Sequence, residues 1–473
     1  VGLMTFWSHD SLVDCSWMNA TLFFDGGALV LRGVDQHTAV HPLLRWVKAR
    51  WRCEGYHYAA LTDWLADHGL RDGVPRWQRL GLTLLDQRQP HDFQDEALAA
   101  WEAAGRRGSI ILPTGAGKTF VATHAIHRVD RSALVVAPTV DLLHQWYARL
   151  SNAFGCAVGV YYGGEKALQP LTVSTYHSAG DLIALAGNQF KLVIFDEVHH
   201  LPAPSWGETA LMTPAPYRLG LTATYPTLEE QSGERWRLDE LIGPIVYEKR
   251  IEELVGQQLA DYRTERIRVD LTAEERCAYE AEHAIYAGYV RAHSLYRLGP
   301  QWWVELLRRS ASDADARRAV LARQQMQRLL ATAQGKFAAL DRLLREHVGE
   351  QVLIFTESND VVYRISATHL IPAITHETKV AERKTILEAF QRGDYRAIVT
   401  SKVLNEGVDV PEAKVAIVLG GSAGAREYVQ RLGRVLRKVG NRQAVLYEVI
   451  VRNTLDVGRA QRRRPAGVKA ERC

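Results

Sequence analysis

Cysteine is scarce in this sequence, and its few copies lie far apart. The 473 residues include Cys15, Cys53, Cys156, Cys277 and Cys473. Because no two of them have the spacing of a metal-ligand pair, zinc and iron–sulfur centres are not expected. Isolated cysteines without a disulfide framework favour a reducing, cytoplasmic setting.

The sequence also lacks long apolar runs. No uninterrupted hydrophobic stretch approaches the ~18–20 residues of a membrane span, and no low-complexity tract interrupts the chain, so we expect a soluble globular protein with no membrane partner. Residues 1–17 have no basic n-region and therefore form no secretory signal. We expect them to be a leader outside the fold, with Met18 as the natural start.

Net charge is small, only +4, and does not by itself indicate a nucleic-acid partner. Positive charge is nevertheless concentrated near the end of the chain. This stretch carries Arg459, Arg462, Arg463, Arg464, Lys469 and Arg472 against Glu471 alone. It is either a solvated, disordered terminus or a basic arm that adds salt-sensitive phosphate contacts.

What the sequence does contain is a phosphate loop. Residues 109–119 read SIILPTGAGKT, an apolar strand followed by a glycine-rich turn, and the next residues read as a helix. Gly115 and Gly117 allow a tight turn whose amides face phosphate oxygens, as does the helix N-terminus. We expect Lys118 to contact the terminal phosphates and Thr119 to bind Mg²⁺. The predicted nucleotide-binding loop comprises Thr114, Gly115, Ala116, Gly117, Lys118 and Thr119.

A second acidic motif lies downstream of the phosphate loop. The segment FKLVIFDEVHH predicts a buried parallel strand that ends in Asp196 and Glu197. Carboxylates at the carboxyl edge of a parallel sheet lie where such folds bind ligands. We expect Asp196 to bind magnesium and Glu197 to orient or deprotonate the attacking water, which predicts hydrolysis of ATP with Mg²⁺.

Other strand ends carry small hydroxyl residues. LVVAPTV and LTVSTYHSA each read as a strand and then a helix, so Thr139, Ser174 and Thr175 are candidate contacts to a phosphate backbone. YRLGLTATY predicts a buried strand after which Thr222 and Thr224 couple the nucleotide site to a second domain. The candidate DNA contacts are Pro138, Thr139, Thr175, Thr356 and Lys402.

A second parallel-sheet pattern begins near residue 351 and contains no phosphate loop. It contains instead the helical segment AREYVQRLGRVLRKVG, in which Arg434 and Arg437, three residues apart, project from one face. An arginine on a neighbouring domain supplies charge to a γ-phosphate transition state when a cleft closes. We interpret both as arginine fingers of a composite ATP site; the alternative is a solvated basic helix.

Taken together, these motifs resemble the superfamily 2 helicases and, within them, the XPB family in its archaeal and bacterial form. The resemblance rests on LPTGAGKT, LVIFDEVHHLPAPS, YRLGLTAT, IPAITHET and REYVQRLGRVLR, and covers roughly residues 21–448. It implies an α/β fold of two RecA-like parallel-sheet helicase domains, with a small N-terminal α+β domain and a helical thumb insertion.

The resemblance also implies an activity, partners and further site residues. Members are ATP-dependent DNA helicases or translocases of 3′-to-5′ polarity that work in nucleotide excision repair or transcription-linked repair, and archaeal members often pair with a nuclease. At the matching positions stand Gln94 for the adenine edge, His199 and Thr222 for coupling, Gly407 and Asp409 lining the nucleotide cleft, and Gln430, Arg434 and Arg437 completing it.

The expected domain order follows from these patterns together with the resemblance, which implies the nature of the N-terminal domain and of the thumb. It is a leader (1–17), an N-terminal domain of the kind the family uses to sense DNA distortion (18–86), helicase domain 1 (87–268), a thumb-like insertion (269–335), helicase domain 2 (336–455) and a basic tail (456–473). In the N-terminal domain and the thumb, the aromatic residues either pack a core or contact DNA, and the thumb arginines are candidate phosphate contacts.

One departure from the family leaves strand separation open. Members carry an Arg-Glu-Asp triplet after Thr-Ala-Thr, but residues 225–231 here read YPTLEEQ. The alternative is therefore a double-stranded DNA translocase, such as a restriction-type motor subunit. An RNA helicase is disfavoured because the box reads D-E-V-H, and a scaffold gated by ATP is disfavoured by the two acids and two arginines.

Overall fold

The computed structural model divides into two compact units: the first ends at Lys249, and the second begins at Arg250 and also includes the short segment Pro113–Ala116. It describes residues 20–227, 231, 236–254, 262–401, 413–420 and 444–462. None of the described helices is both long and apolar enough to cross a membrane.

The first unit begins with a small sheet covered by one helix. Its elements are β1 (Thr21–Asp25), β2 (Ala28–Arg32), β3 (Arg45–Val47), β4 (Arg50–Glu54), α1 (Tyr58–Asp67) and β5 (Arg71–Asp72). The strand order is β3-β4-β2-β1-β5, with only the β1–β5 pair parallel. Leu61 and Leu65 of α1 pack with Leu22 and Leu29 in its core. This is the expected small α+β domain.

The segment after β5 is attached to the domain that follows. The Asn188 side-chain amide donates to the Val74 carbonyl oxygen at 2.8 Å. Farther along, the Arg79 Nε donates to the Asp130 carboxylate at 2.9 Å. These contacts explain why the small domain and the first helicase domain form one unit.

The first helicase domain is built on an eight-stranded sheet in the order β13-β6-β12-β11-β7-β10-β8-β9. The strands are β6 (Arg107–Ile111), β7 (Ala133–Ala137), β8 (Gly159–Tyr162), β9 (Glu165–Ala167), β10 (Leu171–Thr175), β11 (Leu192–Asp196), β12 (Tyr217–Thr222) and β13 (Ile245–Glu248). All neighbouring pairs are parallel except the β8–β9 hairpin. Every residue of β7 and β11 is buried, as expected for parallel strands covered on both faces.

Helices connect these strands. They are α2 (Asp92–Ala103), α3 (Lys118–Val129), α4 (Val140–Phe154), α5 (Tyr176–Ala186), α6 (Pro204–Met212) and α7 (Leu238–Leu241). Because successive parallel strands are joined by helices, all the strand-to-helix turns lie at the carboxyl edge of the sheet. The sequence motifs that follow these strands therefore lie at that edge.

The second unit contains an all-parallel, six-stranded sheet in the order β14-β19-β18-β15-β17-β16. Its strands are β14 (Tyr262–Val269), β15 (Val352–Phe355), β16 (Ala373–Ile374), β17 (Ala397–Thr400), β18 (Val415–Val418) and β19 (Ala444–Val451). Its helices are α8 (Ile251–Leu254), α9 (Ala273–Ala292), α10 (Trp302–Arg309), α11 (Ala314–Ala331), α12 (Gln334–Glu346), α13 (Asn359–His369), α14 (Val380–Arg392) and α15 (Leu455–Arg462).

Two expected domain boundaries are wrong. Helicase domain 1 does not extend to residue 268, because β14 pairs along its whole length with β19 in the second sheet. The tail does not begin at residue 456 either. Helix α15 starts at Leu455, and Asp456 forms a buried 2.6 Å ion pair with Lys336, so the first part of the predicted tail is folded. Residues 463–473 lie outside the described part of the chain.

Helices α9, α10 and α11 form the thumb insertion between β14 and α12. Tyr289, Leu306 and Val320 are buried in its core, and Trp302 packs against them. The Arg323 guanidinium lies 4.0 Å from the Trp303 ring centroid. These contacts favour packing as the role of the thumb aromatics.

Candidate ATP-hydrolysis site

Strand register brings the predicted motifs to one edge of the first sheet. Thr222 at the end of β12 is opposite Ile111 at the end of β6, and Asp196 at the end of β11 is opposite Leu221. The phosphate loop follows β6 directly. The loop, the acidic pair and the Thr-Ala-Thr segment therefore leave neighbouring strands side by side.

The phosphate loop has a backbone that requires glycine. Gly115 and Gly117 have φ values of 89° and 83°, in the left-handed region. Gly117 precedes Lys118, the first residue of α3. The free amides at the start of that helix are therefore available to bind an anion. The Lys118 Nζ donates to the Leu112 carbonyl oxygen at 3.3 Å, and the helix continues through Thr119.

Gln94, the residue expected at the adenine edge, caps the start of its own helix. It lies in the first turn of α2, where its Oε1 accepts the His91 N–H at 3.0 Å and forms part of a capping box. The side chain is buried, and a Cβ atom at position 117 would lie 2.5 Å from its Nε2. Contact with an adenine edge would therefore use the Nε2 group, since the side-chain oxygen already caps its own helix.

Asp196 is buried and hydrogen-bonded. Its carboxylate accepts the Trp146 Nε1–H at 2.8 Å and the Glu197 N–H at 3.0 Å. Burial, and then the charge of Glu197, raise the pKa of Asp196 to about 6, although the Trp146 hydrogen bond and the charge of Lys118 oppose the rise. A cation beside this carboxylate would favour its charged form.

The role of Trp146 as a hydrogen-bond donor to Asp196 was not predicted from the sequence. Trp146 lies in α4 at an apolar position, where a tryptophan has every appearance of an ordinary core residue. The pairing with Asp196 depends on β11 and α4 meeting in space, so no local pattern identifies it.

Glu197 has a strained backbone and a side-chain oxygen with no partner. Its φ of 48° is in the left-handed region, which a residue with a Cβ rarely adopts. Its Oε2 is buried and, among the described residues, makes no hydrogen bond; the His199 Nδ1 lies 3.5 Å away. An acceptor kept free in a site is suited to a water molecule or a proton.

His199 and Thr222, the two residues predicted to couple the sites, are in direct contact. The His199 Nδ1 and the Thr222 hydroxyl are 2.9 Å apart. The hydroxyl donates its proton to the Thr224 carbonyl oxygen at 2.8 Å and accepts the Thr224 N–H. Because the hydroxyl has only one proton, His199 Nδ1 is the donor in their contact.

The residues proposed for Mg²⁺ fit a hard cation. Thr119 contributes a hydroxyl and Asp196 a carboxylate, and Mg²⁺ in nucleotide sites takes one or two such ligands together with waters and phosphates. Within the described ranges no group of three or more His, Cys, Asp or Glu residues surrounds a common point.

The candidate DNA contacts have mixed environments. Pro138 and Thr139 follow β7, where the Thr139 hydroxyl caps α4 by accepting the Leu142 N–H at 3.3 Å. Thr175 and Thr356 are buried, which counts against their hydroxyls as contacts. The Ser174 hydroxyl is buried too and donates to the Tyr161 carbonyl oxygen.

Several predicted site residues lie outside the described part of the chain. They are Lys402, Gly407, Asp409, Gln430, Arg434 and Arg437.

A parallel sheet brings a phosphate loop, adjacent acids and a histidine–threonine contact to one edge, and a second parallel sheet follows in the chain; this is the arrangement expected of a superfamily 2 helicase. The chain is 40% identical to the DNA 3′-5′ translocase XPB2 of Sulfurisphaera tokodaii, over 80% of this chain and 85% of that protein. It belongs to the XPB family, and with it to the DNA-dependent ATPases and helicases.

Other comparisons agree with this assignment. The chain is 30% identical to the DNA 3′-5′ helicase XPB of Mycobacterium tuberculosis, over 79% of this chain and 63% of that longer protein. Residues 87–227 match the family model described as type III restriction enzyme, res subunit, and residues 335–439 match the helicase conserved C-terminal domain. The helicase domain of Pyrococcus furiosus Hef has the same fold, with a TM-score of 0.51, 19% identity, and coverage of 81% of this chain and 100% of that one.

Proposed function

We propose that this chain uses ATP hydrolysis to move 3′-to-5′ along DNA and to open it during nucleotide excision repair or transcription-linked repair. The observation that carries the proposal is the edge of the first sheet, where the phosphate loop, Asp196, Glu197 and the His199–Thr222 contact lie together. The names of the relatives, helicase and translocase of 3′-5′ polarity, support the choice of DNA and direction.

The residues of the first domain divide the work of hydrolysis. The loop amides and Lys118 bind the phosphates of ATP. Thr119 and Asp196 would bind Mg²⁺, which supplies charge neutralisation at the β- and γ-phosphates. Glu197 orients the attacking water and accepts its proton through the free Oε2.

His199 and Thr222 would couple ATP hydrolysis at Glu197 to movement of the rest of the protein. Glu197 and His199 are 3.5 Å apart, and His199 donates to Thr222, whose hydroxyl holds the Thr224 backbone. A change at Glu197 during hydrolysis therefore reaches the segment after β12 through two contacts.

Further nucleotide contacts are proposed from the sequence. They are Gln430, Arg434, Arg437, Gly407 and Asp409. A nuclease partner is proposed on the same resemblance.

A second candidate is a double-stranded DNA translocase that does not separate strands. The absence of an Arg-Glu-Asp triplet in residues 225–231 favours it, as does the name translocase of the Sulfurisphaera relative.

Two substrates separate these activities. A helicase releases the strand of a forked duplex, whereas a translocase displaces the third strand of a triplex and leaves the fork intact. We expect ATP-dependent activity on at least one of them, with 3′-to-5′ direction. Failure on both, with intact DNA-stimulated ATP hydrolysis, would contradict the motor proposal.

A further inference from the structure

Arg218, on β12, is a fully buried cation whose role the mechanism above leaves unexplained. Its side chain is fully buried, and the described hydrogen bonds of its guanidinium all go to backbone carbonyl oxygens. The acceptors are Ala210, Thr213, Ala215 and Leu241, at 2.8, 2.7, 3.3 and 2.7 Å respectively. Burial, and then the charge of Arg107, lower the pKa of Arg218, although a guanidinium stays protonated in proteins.

These acceptors place the charge at the end of α6. Ala210 lies in the last turn of the helix and Thr213 directly follows it, so their carbonyl groups have no partner within the helix. A positive charge at a helix C-terminus is favourable because the carbonyl dipoles point toward it. Arg218 thereby fixes the end of α6 to β12.

The same end of α6 is the surface on which the small N-terminal domain rests. Gly27 and Gly55 approach Met212, the last residue of α6, so closely that neither position has room for a side chain. A Cβ atom at Gly27 would lie 2.7 Å from the Met212 side chain, and one at Gly55 would collide with the Met212 carbonyl group. Next to Gly55, the Tyr56 ring lies 5.9 Å from the Arg218 guanidinium.

On its other side, Arg218 is connected to the ATP site. It precedes Thr222 on the same strand, and the Thr222 carbonyl oxygen accepts the N–H of Leu112, at the start of the phosphate loop. The Arg218 carbonyl oxygen accepts the Trp101 Nε1–H at 2.9 Å, and Trp101 lies in α2, the helix of Gln94. One residue thus contacts the N-terminal domain, α6, α2 and the strand of Thr222.

We propose that Arg218 is a positioning residue which, with the end of α6, transmits DNA engagement by the N-terminal domain to the ATP site. This rests on the proposed DNA-dependent hydrolysis and on the DNA-sensing role that the family resemblance implies for the N-terminal domain. A shift of the N-terminal domain moves Met212, and the four carbonyl bonds of Arg218 pass that shift to β12. Packed interiors transmit small displacements because they have little free volume.

Gly55→Ala tests the route without touching the ATP site. The added methyl group meets backbone at Met212 and must displace the N-terminal domain from α6. Gly164→Ala is the matched control, since a Cβ atom there meets nothing within 4 Å and its φ is ordinary. Arg218→Lys keeps the charge but loses the planar fork of donors, so it should be impaired as well.

The readout is kcat for ATP hydrolysis with and without duplex DNA, together with the KM for ATP. Coupling between sites is typically worth about 5- to 150-fold, so we expect stimulation by DNA to fall about tenfold in Gly55→Ala. Basal kcat, KM and the control should be unchanged. Full stimulation in Gly55→Ala, or equal loss of basal and stimulated rates, would overturn the proposal. A wild-type protein that DNA does not stimulate would instead refute the proposed function.

Discussion

At the scale of single residues, Glu197 combines a strained backbone conformation with a buried carboxylate oxygen that can accept a hydrogen bond. Glu197 has a left-handed backbone, which costs roughly 1–3 kcal/mol for a residue with a Cβ. Glu197 directly follows Asp196, the last residue of β11, so both acids lie at the carboxyl edge of the sheet. The cost of the conformation indicates that the position of Glu197 matters for function more than for stability.

Thr222→Val tests coupling at this scale. The substitution removes the acceptor of the His199 and Thr224 N–H groups, and an unsatisfied buried donor costs about 1–3 kcal/mol. We expect triplex displacement to fall much more than DNA-stimulated ATP hydrolysis, measured on the same preparation.

Thr172→Val is the control for that change. The Thr172 hydroxyl is also buried and exchanges hydrogen bonds with the backbone of Gln169, but it lies away from the acids. It should lose stability without losing coupling. Parallel loss of both activities in Thr222→Val would show that the contact serves hydrolysis itself.

The phosphate loop and the acidic pair were predictable because their chemistry resides in contiguous residues. Gly115, Gly117 and Lys118 lie within one turn, and the sequence places them correctly after a strand and at the start of a helix. Trp146 and the capping role of Gln94 were not predictable. Both depend on contacts that the local sequence does not encode.

At the scale of elements, the same distinction explains the wrong boundaries. The strand pattern of β14 is visible in YRTERIRV, but its partner β19 lies at the far end of the chain. Only the pairing assigns it to the second sheet. The folding of α15 depends on the ion pair between Asp456 and Lys336. The charge content of the tail alone does not predict this pair.

The Lys336–Asp456 pair should therefore anchor α15. Both side chains are almost fully buried, and removing one partner of such a pair costs about 3–5 kcal/mol. We expect Lys336→Met to lower the melting temperature of the second unit strongly. Lys336→Met combined with Asp456→Asn should recover part of the loss, since no lone charge remains.

Lys384→Met provides the comparison for an exposed ion pair. Lys384 and Glu388 are 3.8 Å apart and mostly exposed, so water screens their attraction. The melting temperature should hardly change. An equal effect of the two lysine substitutions would contradict the anchoring role of Lys336.

The reactivity of the Cys53 thiol reports whether the N-terminal domain is folded. Burial, and then the charge of Glu54, raise the pKa of Cys53 to about 12. Above an ordinary thiol pKa of about 8.5, the unfolded chain releases a proton that the folded domain retains, so the domain loses stability as pH rises toward 12. Iodoacetamide near pH 9 should alkylate the exposed Cys277 well before Cys53, as measured by peptide mass spectrometry.

Denaturant supplies the control for this labelling. In the unfolded chain both thiols should react alike. If Cys53 reacts as fast as Cys277 in the folded protein, the thiol is accessible and the described core of the N-terminal domain is wrong.

At the scale of the whole molecule, the chain joins an ATP-hydrolysing domain to a small domain in one unit and to a second parallel-sheet domain in another. The α/β fold with two parallel-sheet helicase domains, which the family resemblance implied, is confirmed by the fold and the family assignment. The proposed motor function requires that hydrolysis at Glu197 respond to DNA.

The most direct test is ATP hydrolysis by Glu197→Gln with saturating duplex DNA. Glutamine preserves shape but cannot accept the proton of the attacking water, and loss of a general base typically costs about 10²- to 10⁴-fold in rate. The account predicts a loss of that size with nucleotide binding intact in a fluorescent-analogue titration. Turnover at the wild-type rate would contradict it.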